Sequence, residues 1–266
     1  MSSQPQVAIE SIRSVHLTLS FSGQSLSTGT GFFARSRSGR ICLITNRHNV
    51  TGRDQNTGKT LSPTLAIPNA LTIRMPILGA VPPNYRTGAA GGQQVTWADI
   101  TVNLLVEDQP QWVEHPALGE RADFVAIPLD DLPADEQLLY EMVTPIDRQI
   151  LLLPTDHVSI IGFPLGMAAG QNLAIWVNGT VASDPDVSYN ELPVMLVDCR
   201  GRPGQSGSPV IAFRSGGMVK FRSGDTAVMN GPVSNFIGIY SGRIHKDSDI
   251  GMVWKAEAIQ QLLATI

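Results

Sequence analysis

Ten short runs rich in β-branched and aromatic residues, set apart by Gly, Pro, Asn and Ser, constrain the fold of this chain most strongly. Five lie in the first half: VHLTLS (15–20), GFFARS (31–36), RICLITN (40–46), WADITVNLL (97–105) and DFVAIPL (123–129). Five follow: HVSIIGF (157–163), LAIWVNGTV (173–181), LPVMLV (192–197), SPVIAF (208–213) and NFIGIYS (235–241). Many short strands with turn chemistry between them predict an all-β sandwich or barrels, not a βαβ sheet. The one sustained helical period is at the end. Trp254, Ala258, Ile259, Leu262, Leu263 and Ile266 recur at helical spacing, with Lys255, Glu257, Gln260 and Gln261 on the other face. A helical turn is also expected after Pro133, where Asp135 and Glu136 suit a helix start. Residues 130–155, acidic and then Pro-interrupted, read as a crossover between two halves. The stretches 51–64 and 82–94 read as exposed loops.

Composition narrows the function classes. The length of 266 residues allows a sizeable core in one large domain or two small ones. A formal net charge of −4 offers no general attraction to nucleic acid or an anionic membrane. The opening MSSQPQVAIESIRSVHLTLS lacks a basic segment followed by an apolar run, so no secretory signal is expected. No apolar stretch is long enough to cross a bilayer. Cys42 and Cys199 are too few for a disulfide scaffold or a zinc cage and are expected as buried thiols, a single bridge being the alternative. Asn49-Val50-Thr51 is a glycosylation sequon beside His48, and a glycan there would cover a catalytic histidine. A cytoplasmic, bacterial protein is therefore expected.

The chemistry concentrates in CRGRPGQSGSPV (199–210). Serine hydrolysis needs an attacking hydroxyl, an imidazole to take its proton and a carboxylate to hold the imidazole. It also needs backbone N–H groups aimed at the developing oxyanion. The Gly-x-Ser-Gly turn answers that demand: glycine lets the N–H groups of Gly204 and Ser206 face one spot. Ser206 is then the nucleophile, and Ser208 opens the following strand. The α/β-hydrolase order would use Asp225 and His245 downstream, but position 208 is Ser instead of Gly and a strand follows, not a helix. The subtilisin order fails because no aspartate precedes His48. There remains the order His, Asp, Ser. His48 ends an apolar strand in ICLITNRHNVTG, and Asp123 opens another in EHPALGERADFVAIPLD. Asp99 in TWADITVNLL competes for the carboxylate, because it lies nearer in sequence (99 − 48 = 51, against 123 − 48 = 75). Alone, a Gly-rich turn or a strand-end histidine would read as structural; together and in order they read as a site.

These residues resemble the trypsin-like, chymotrypsin-fold serine proteases, of the bacterial stand-alone type without disulfides. The carrying motifs are GTGFFARS before the histidine, TNRHNV around it, HPALGERADFVAIPL around the aspartate and GQSGSPV around the serine. VSIIGFP (158–164), FIGIYSGR (236–243) and the terminal helix extend the likeness over nearly the whole chain. The resemblance implies two packed β-barrels with a C-terminal α-helix, residues 1–135 carrying His48 and Asp123 and residues 136–266 carrying Ser206. It favours Asp123 over Asp99 on the flanking residues. It implies an endopeptidase with an oxyanion hole at Gly204 and Ser206 and with no metal or organic cofactor. Its partners would be a protein or peptide substrate, with a regulatory protein left open. The strand from Gly238 to Arg243 would pair with substrate backbone, and Ser241 would buttress the aspartate. Arg200, Ser241, Gly242 and Arg243 would border the substrate. Cations at Arg200 and Arg243, with His245 nearby, would favour an acidic residue before the scissile bond. Gln205 stands where zymogen-activated members carry an aspartate, and no Ile-Val-Gly-Gly-type start is visible, so activity without maturation is expected. A catalytically weak scaffold of the same fold and an esterase-like hydrolase are the competing functions.

Three lesser motifs point to structure. GTGFFA (29–34) matches a dinucleotide fingerprint but lacks a βαβ setting. SDPDVSYNE (183–191) and HKDSDIG (245–251) do not fit a calcium loop. His16, His115, His157 and His245 read as structural or surface residues.

Overall fold

The computed structural model describes residues 7–77, 86–90, 93–129, 135–170 and 172–266. Among these, the molecule is mostly β, with a chymotrypsin-like architecture. In the first half, eight strands form one antiparallel sheet. Their spatial order is Arg86–Ala90, Gln93–Asn103, Ala70–Ile77, Ser14–Phe21, Gln24–Arg35, Ile41–Thr45, Val125–Leu129 and Val113–Glu114. In the second half, His157–Gly162, Ile175–Val181, Val194–Cys199, Ile250–Lys255, Val233–Arg243 and Pro209–Arg214 close into a six-stranded barrel.

Alternation explains why the expected runs became strands. In Ser14–Phe21, Val15, Leu17 and Leu19 are fully buried while His16, Thr18 and Ser20 are only partly so. Side chains on successive residues point to opposite faces, so the apolar set collects on one side. Each fully buried Leu, Ile or Phe contributes about 1.5–3 kcal/mol. Three large clusters result. One lies within the first sheet (Leu17, Phe33, Leu43, Ile73, Ile127) and one within the barrel (Ile160, Val197, Val210, Tyr240, Val253). The third joins the halves, bringing Phe32 and Phe124 against Phe163, Ile211, Trp254 and Leu262. There, Phe124 and Trp254 meet edge to face at 5.4 Å.

Several elements depart from the sequence expectation. Residues 86–90 lie in a stretch expected as loop, yet they pair with Gln93–Asn103. Trp254 belongs to the strand Ile250–Lys255, paired with Val194 and Ile239, and the helix begins only at Ala256. Its spacing suits the helix, but cross-strand partners claim it first. The expected helical turn after Pro133 is one 3₁₀ turn, Glu136–Leu138, capped by Asp135 accepting from Gln137 N (2.9 Å); Pro133 itself lies outside the described residues. Cys42 and Cys199 are buried thiols in separate clusters. No helix among the described residues is long and apolar enough to cross a membrane.

Candidate active site

His48 rides on a single helical turn, Arg47–Thr51, directly after the strand Ile41–Thr45. Asn46 stands at the start of that turn, fully buried, and its Nδ2 donates to the Asp123 carbonyl (2.5 Å). Gly52 ends it, its N–H returning to His48 O. Arg47 is anchored to Glu114 (2.9 Å), so the turn is held at both flanks.

Asp123 lies just before the strand Val125–Leu129 and is 2% exposed. Its carboxylate is spent on the histidine. Oδ1 accepts the His48 backbone N–H (3.0 Å), and Oδ2 meets His48 Nδ1 (2.7 Å). Ser241 Oγ donates to the same Oδ2 (2.5 Å). A carboxylate accepts only, so Nδ1 carries the proton and Nε2 is left as the basic nitrogen. Burial of the ring disfavours its charged form, but the Asp123 carboxylate, by charge and by hydrogen bond, outweighs it and raises the His48 pKa above its ordinary value. Asp54, a carboxylate for which the sequence gave no functional hint, acts in the same direction.

Ser206 sits half-buried in the turn between Arg202 and Pro209, whereas Ser208 is fully buried. Only the first serine can meet a substrate. Gly204 takes φ +88°, and a Cβ there would lie 2.4 Å from Phe163 O. Gly207 takes φ +90°, and a Cβ there would lie 1.9 Å from Thr30 O. Both positions therefore require glycine. Gln205, 1% exposed, accepts the Arg202 N–H on Oε1 (2.7 Å) and donates its own N–H to Arg202 O (3.2 Å). Among the described residues, neither the Gly204 nor the Ser206 N–H donates to a protein acceptor.

The serine turn is stitched to the histidine turn by residues to which sequence reasoning assigned no role. Ser206 O accepts from Thr30 N (2.9 Å) and from Asn49 Nδ2 (3.2 Å). Thr30 Oγ1 donates to Gly204 O (2.8 Å) and accepts from Phe163 N (3.1 Å). Thr45 Oγ1 donates to Thr30 O (2.8 Å) and accepts from Asn49 Nδ2 (3.0 Å). One signal was available: Thr30 lies inside the Gly-Thr-Gly of GTGFF, and Gly29 lets Asn49 approach to 2.7 Å of where its Cβ would be. The hydroxyl of Ser206 makes no hydrogen bond among the described residues.

The remaining candidates fall at different distances from this constellation. Ser241, 8% exposed, Gly242 and Arg243 continue the strand Val233–Arg243 past the serine turn. Arg200 is exposed. Asp99 forms a two-pronged pair with Arg74 (2.8 and 2.7 Å) on the sheet surface. His16 packs edge to face on Phe163, and burial lowers its pKa. His115 is buried, accepting the Ala117 and Leu118 N–H groups on Nδ1 and bonding Gln261 through Nε2 (3.1 Å). Asp225 accepts from Ser223 (2.8 Å), and His245 stands exposed beside Asp247 (3.7 Å). A cavity of about 1160 Å³ lined by Arg13, Arg35, Tyr140, Phe236 and Leu263 includes none of His48, Asp123 and Ser206.

Comparison with known proteins bears on the family and the fold. The family model described as a trypsin-like peptidase domain matches residues 29–219. Among solved structures, the chain is similar to Deg5, at 12% identity and a TM-score of 0.51, over 94% of this chain and 86% of that one. It is also similar to the Rv3671c protease of M. tuberculosis in its active form, at 15% identity and a TM-score of 0.49, over 96% and 80% of the two chains. The serine endoprotease of Yersinia pestis matches at 14% identity and a TM-score of 0.49, over 94% and 61%. A search of curated protein sequences returned no match.

Proposed function

The chain belongs to the trypsin-like peptidase family, and on that premise we propose that it is a serine endopeptidase acting through Ser206, His48 and Asp123. The observation that carries this reading is the Asp123 carboxylate, held by Ser241 and bonded to His48 Nδ1 at 2.7 Å, with the Ser206 turn tied to the same helical turn through Asn49. Residues 1–135 are taken as the unit bearing the base and its orienting acid, and residues 136–266 as the unit bearing the nucleophile.

Ser206 Oγ attacks the scissile carbonyl carbon while His48 Nε2 takes its proton. The carbonyl oxygen becomes an oxyanion, for which the Gly204 and Ser206 N–H groups serve as the donors. Asp123 keeps the imidazole in the productive tautomer and stabilises its cation without itself accepting the proton. His48 then gives the proton to the leaving amine, and an acyl-Ser206 ester remains. Water, deprotonated by the same nitrogen, attacks the ester and releases the acid. Substrate backbone has an edge to join. The strand Pro209–Arg214 pairs with its neighbour only as far as Pro209 with Ile239, so Ser241–Arg243 extend beyond it.

The test is covalent labelling. Ser206→Ala should abolish reaction with a serine-directed phosphonate and lower protein turnover by about 10⁴-fold or more. Equal labelling of the two proteins would overturn the assignment. Turnover of small esters with no cleavage of any protein or peptide would move it to an esterase.

A further inference from the structure

Tyr240 occupies the space next to the nucleophile turn. Its backbone clasps that turn from both sides: Gly207 N donates to Tyr240 O (3.0 Å), and Tyr240 N donates to Ser208 O (2.9 Å). Its side chain, 1% exposed, runs between two glycines on neighbouring segments. A Cβ on Gly201 would lie 1.9 Å from the Tyr240 hydroxyl oxygen and 2.9 Å from Cζ. A Cβ on Gly251 would lie 2.5 Å from Cε2. Gly201 stands three residues before Gly204, and Gly251 pairs across the sheet with Arg243. Two segments thus border one space on either side of this residue: the approach to the serine turn, at Gly201, and the strand Ile250–Lys255, at Gly251. The ring and hydroxyl of Tyr240 fill it.

The ring cannot readily leave. It packs with Val197, Cys199, Val210 and Val253 in the barrel cluster, and swinging it out would open a void in a close-packed interior. Burial, with the Cys199 thiol alongside, pushes the hydroxyl pKa far up, so the group stays neutral. Arg200 is exposed and Arg243 half-buried, so their charge would sit around a space already taken.

We propose that Tyr240 sets the substrate preference by occupying the primary side-chain pocket, so that the residue on the acyl side of the scissile bond must be Gly, Ala or Ser. This rests on the endopeptidase reading. It competes with the acidic preference expected from Arg200 and Arg243, and the two make opposite predictions for a Glu at that position.

Three peptidyl phosphonates differing only at that residue (Ala, Phe or Glu) test it through their second-order rates of labelling Ser206. The wild-type protein should react about 10²-fold faster with the Ala probe than with the other two, the scale that steric selection in a filled pocket supplies. Tyr240→Phe keeps the ring and should keep that order. Tyr240→Ala should raise the Phe-to-Ala ratio by about tenfold or more. Should Tyr240→Ala not fold, the wild-type and Tyr240→Phe ratios decide alone. Equal or faster labelling of the wild type by the Phe or Glu probe would overturn the proposal and leave the peptidase standing. No labelling by any probe would overturn both.

Discussion

His48 must be neutral to take a proton, yet its surroundings favour the cation. Burial alone would lower its pKa; the Asp123 carboxylate at 2.7 Å outweighs burial and raises it. The ascending limb of kcat/KM against pH should therefore have its midpoint above the ordinary histidine value of 6.5. Asp123→Asn should move that midpoint downward, because only the more weakly acting Asp54 then opposes burial, and should cut kcat by about 10⁴-fold through loss of the correct tautomer. A limb that does not move on Asp123→Asn would detach it from this histidine. The same shift has a stability counterpart. A folded pKa raised above the unfolded one contributes stability fully below the unfolded value, and that contribution is lost as pH rises through the folded one. Asp99 shares the Ala-Asp-apolar context of Asp123, and the flanking residues favour Asp123. In space Asp99 forms a bidentate pair with Arg74, while the carboxylate that meets His48 is that of Asp123.

At the scale of elements, the turn from Arg202 to Ser208 holds itself. Gln205 closes it through Arg202 N and O, and Ser208 N returns to Gln205 O (2.9 Å). A neutral side chain makes these bonds, so under the proposed endopeptidase reading the turn is ordered without a new charged N-terminus. The expected outcome is phosphonate labelling of the unprocessed chain, with no gain after limited N-terminal trimming. Activity that appears only on trimming would refute it. Gly204 and Gly207 were legible here because their left-handed backbone requires glycine in a serine turn of this kind. Other elements were not. Ala70–Ile77 escaped because Pro76 and the charged Arg74 break the apolar run that marks a strand. Its pairing with Ser14–Phe21 and Gln93–Asn103 supplies the partners that its own composition does not advertise.

For the whole molecule, the decisive feature is the seam between the sheet and the barrel. Thr30 Oγ1 bonds Gly204 and Phe163, which lie more than 130 residues away in sequence, and so joins the serine turn to the strand Gln24–Arg35. Thr30→Val keeps the shape but leaves the Phe163 N–H and the Gly204 carbonyl buried without that partner. It should cost about 1–3 kcal/mol in a urea melt. It should also lower kcat more than it raises KM, because the nucleophile and its oxyanion donors lose their alignment. Thr30→Ser, which retains the hydroxyl, should recover most of both. An unchanged kcat in Thr30→Val would show that the seam supports the fold but not the chemistry.

The division between sequence and structure follows from range. Strand periodicity, the separate motifs around histidine, aspartate and serine, the glycines of the turn and the amphipathic terminal helix are local patterns, each written within a short stretch of sequence. Sequence alone determined those. The carboxylate that reaches His48, the Thr30–Asn49 stitching and the tyrosine between Gly201 and Gly251 depend on separate segments meeting in space, the widest separation being that of the Thr30 N–Ser206 O bond (206 − 30 = 176). No local pattern encodes which distant side chain fills a given space. Close packing decides it, and it turned two unremarked glycines into the walls around Tyr240.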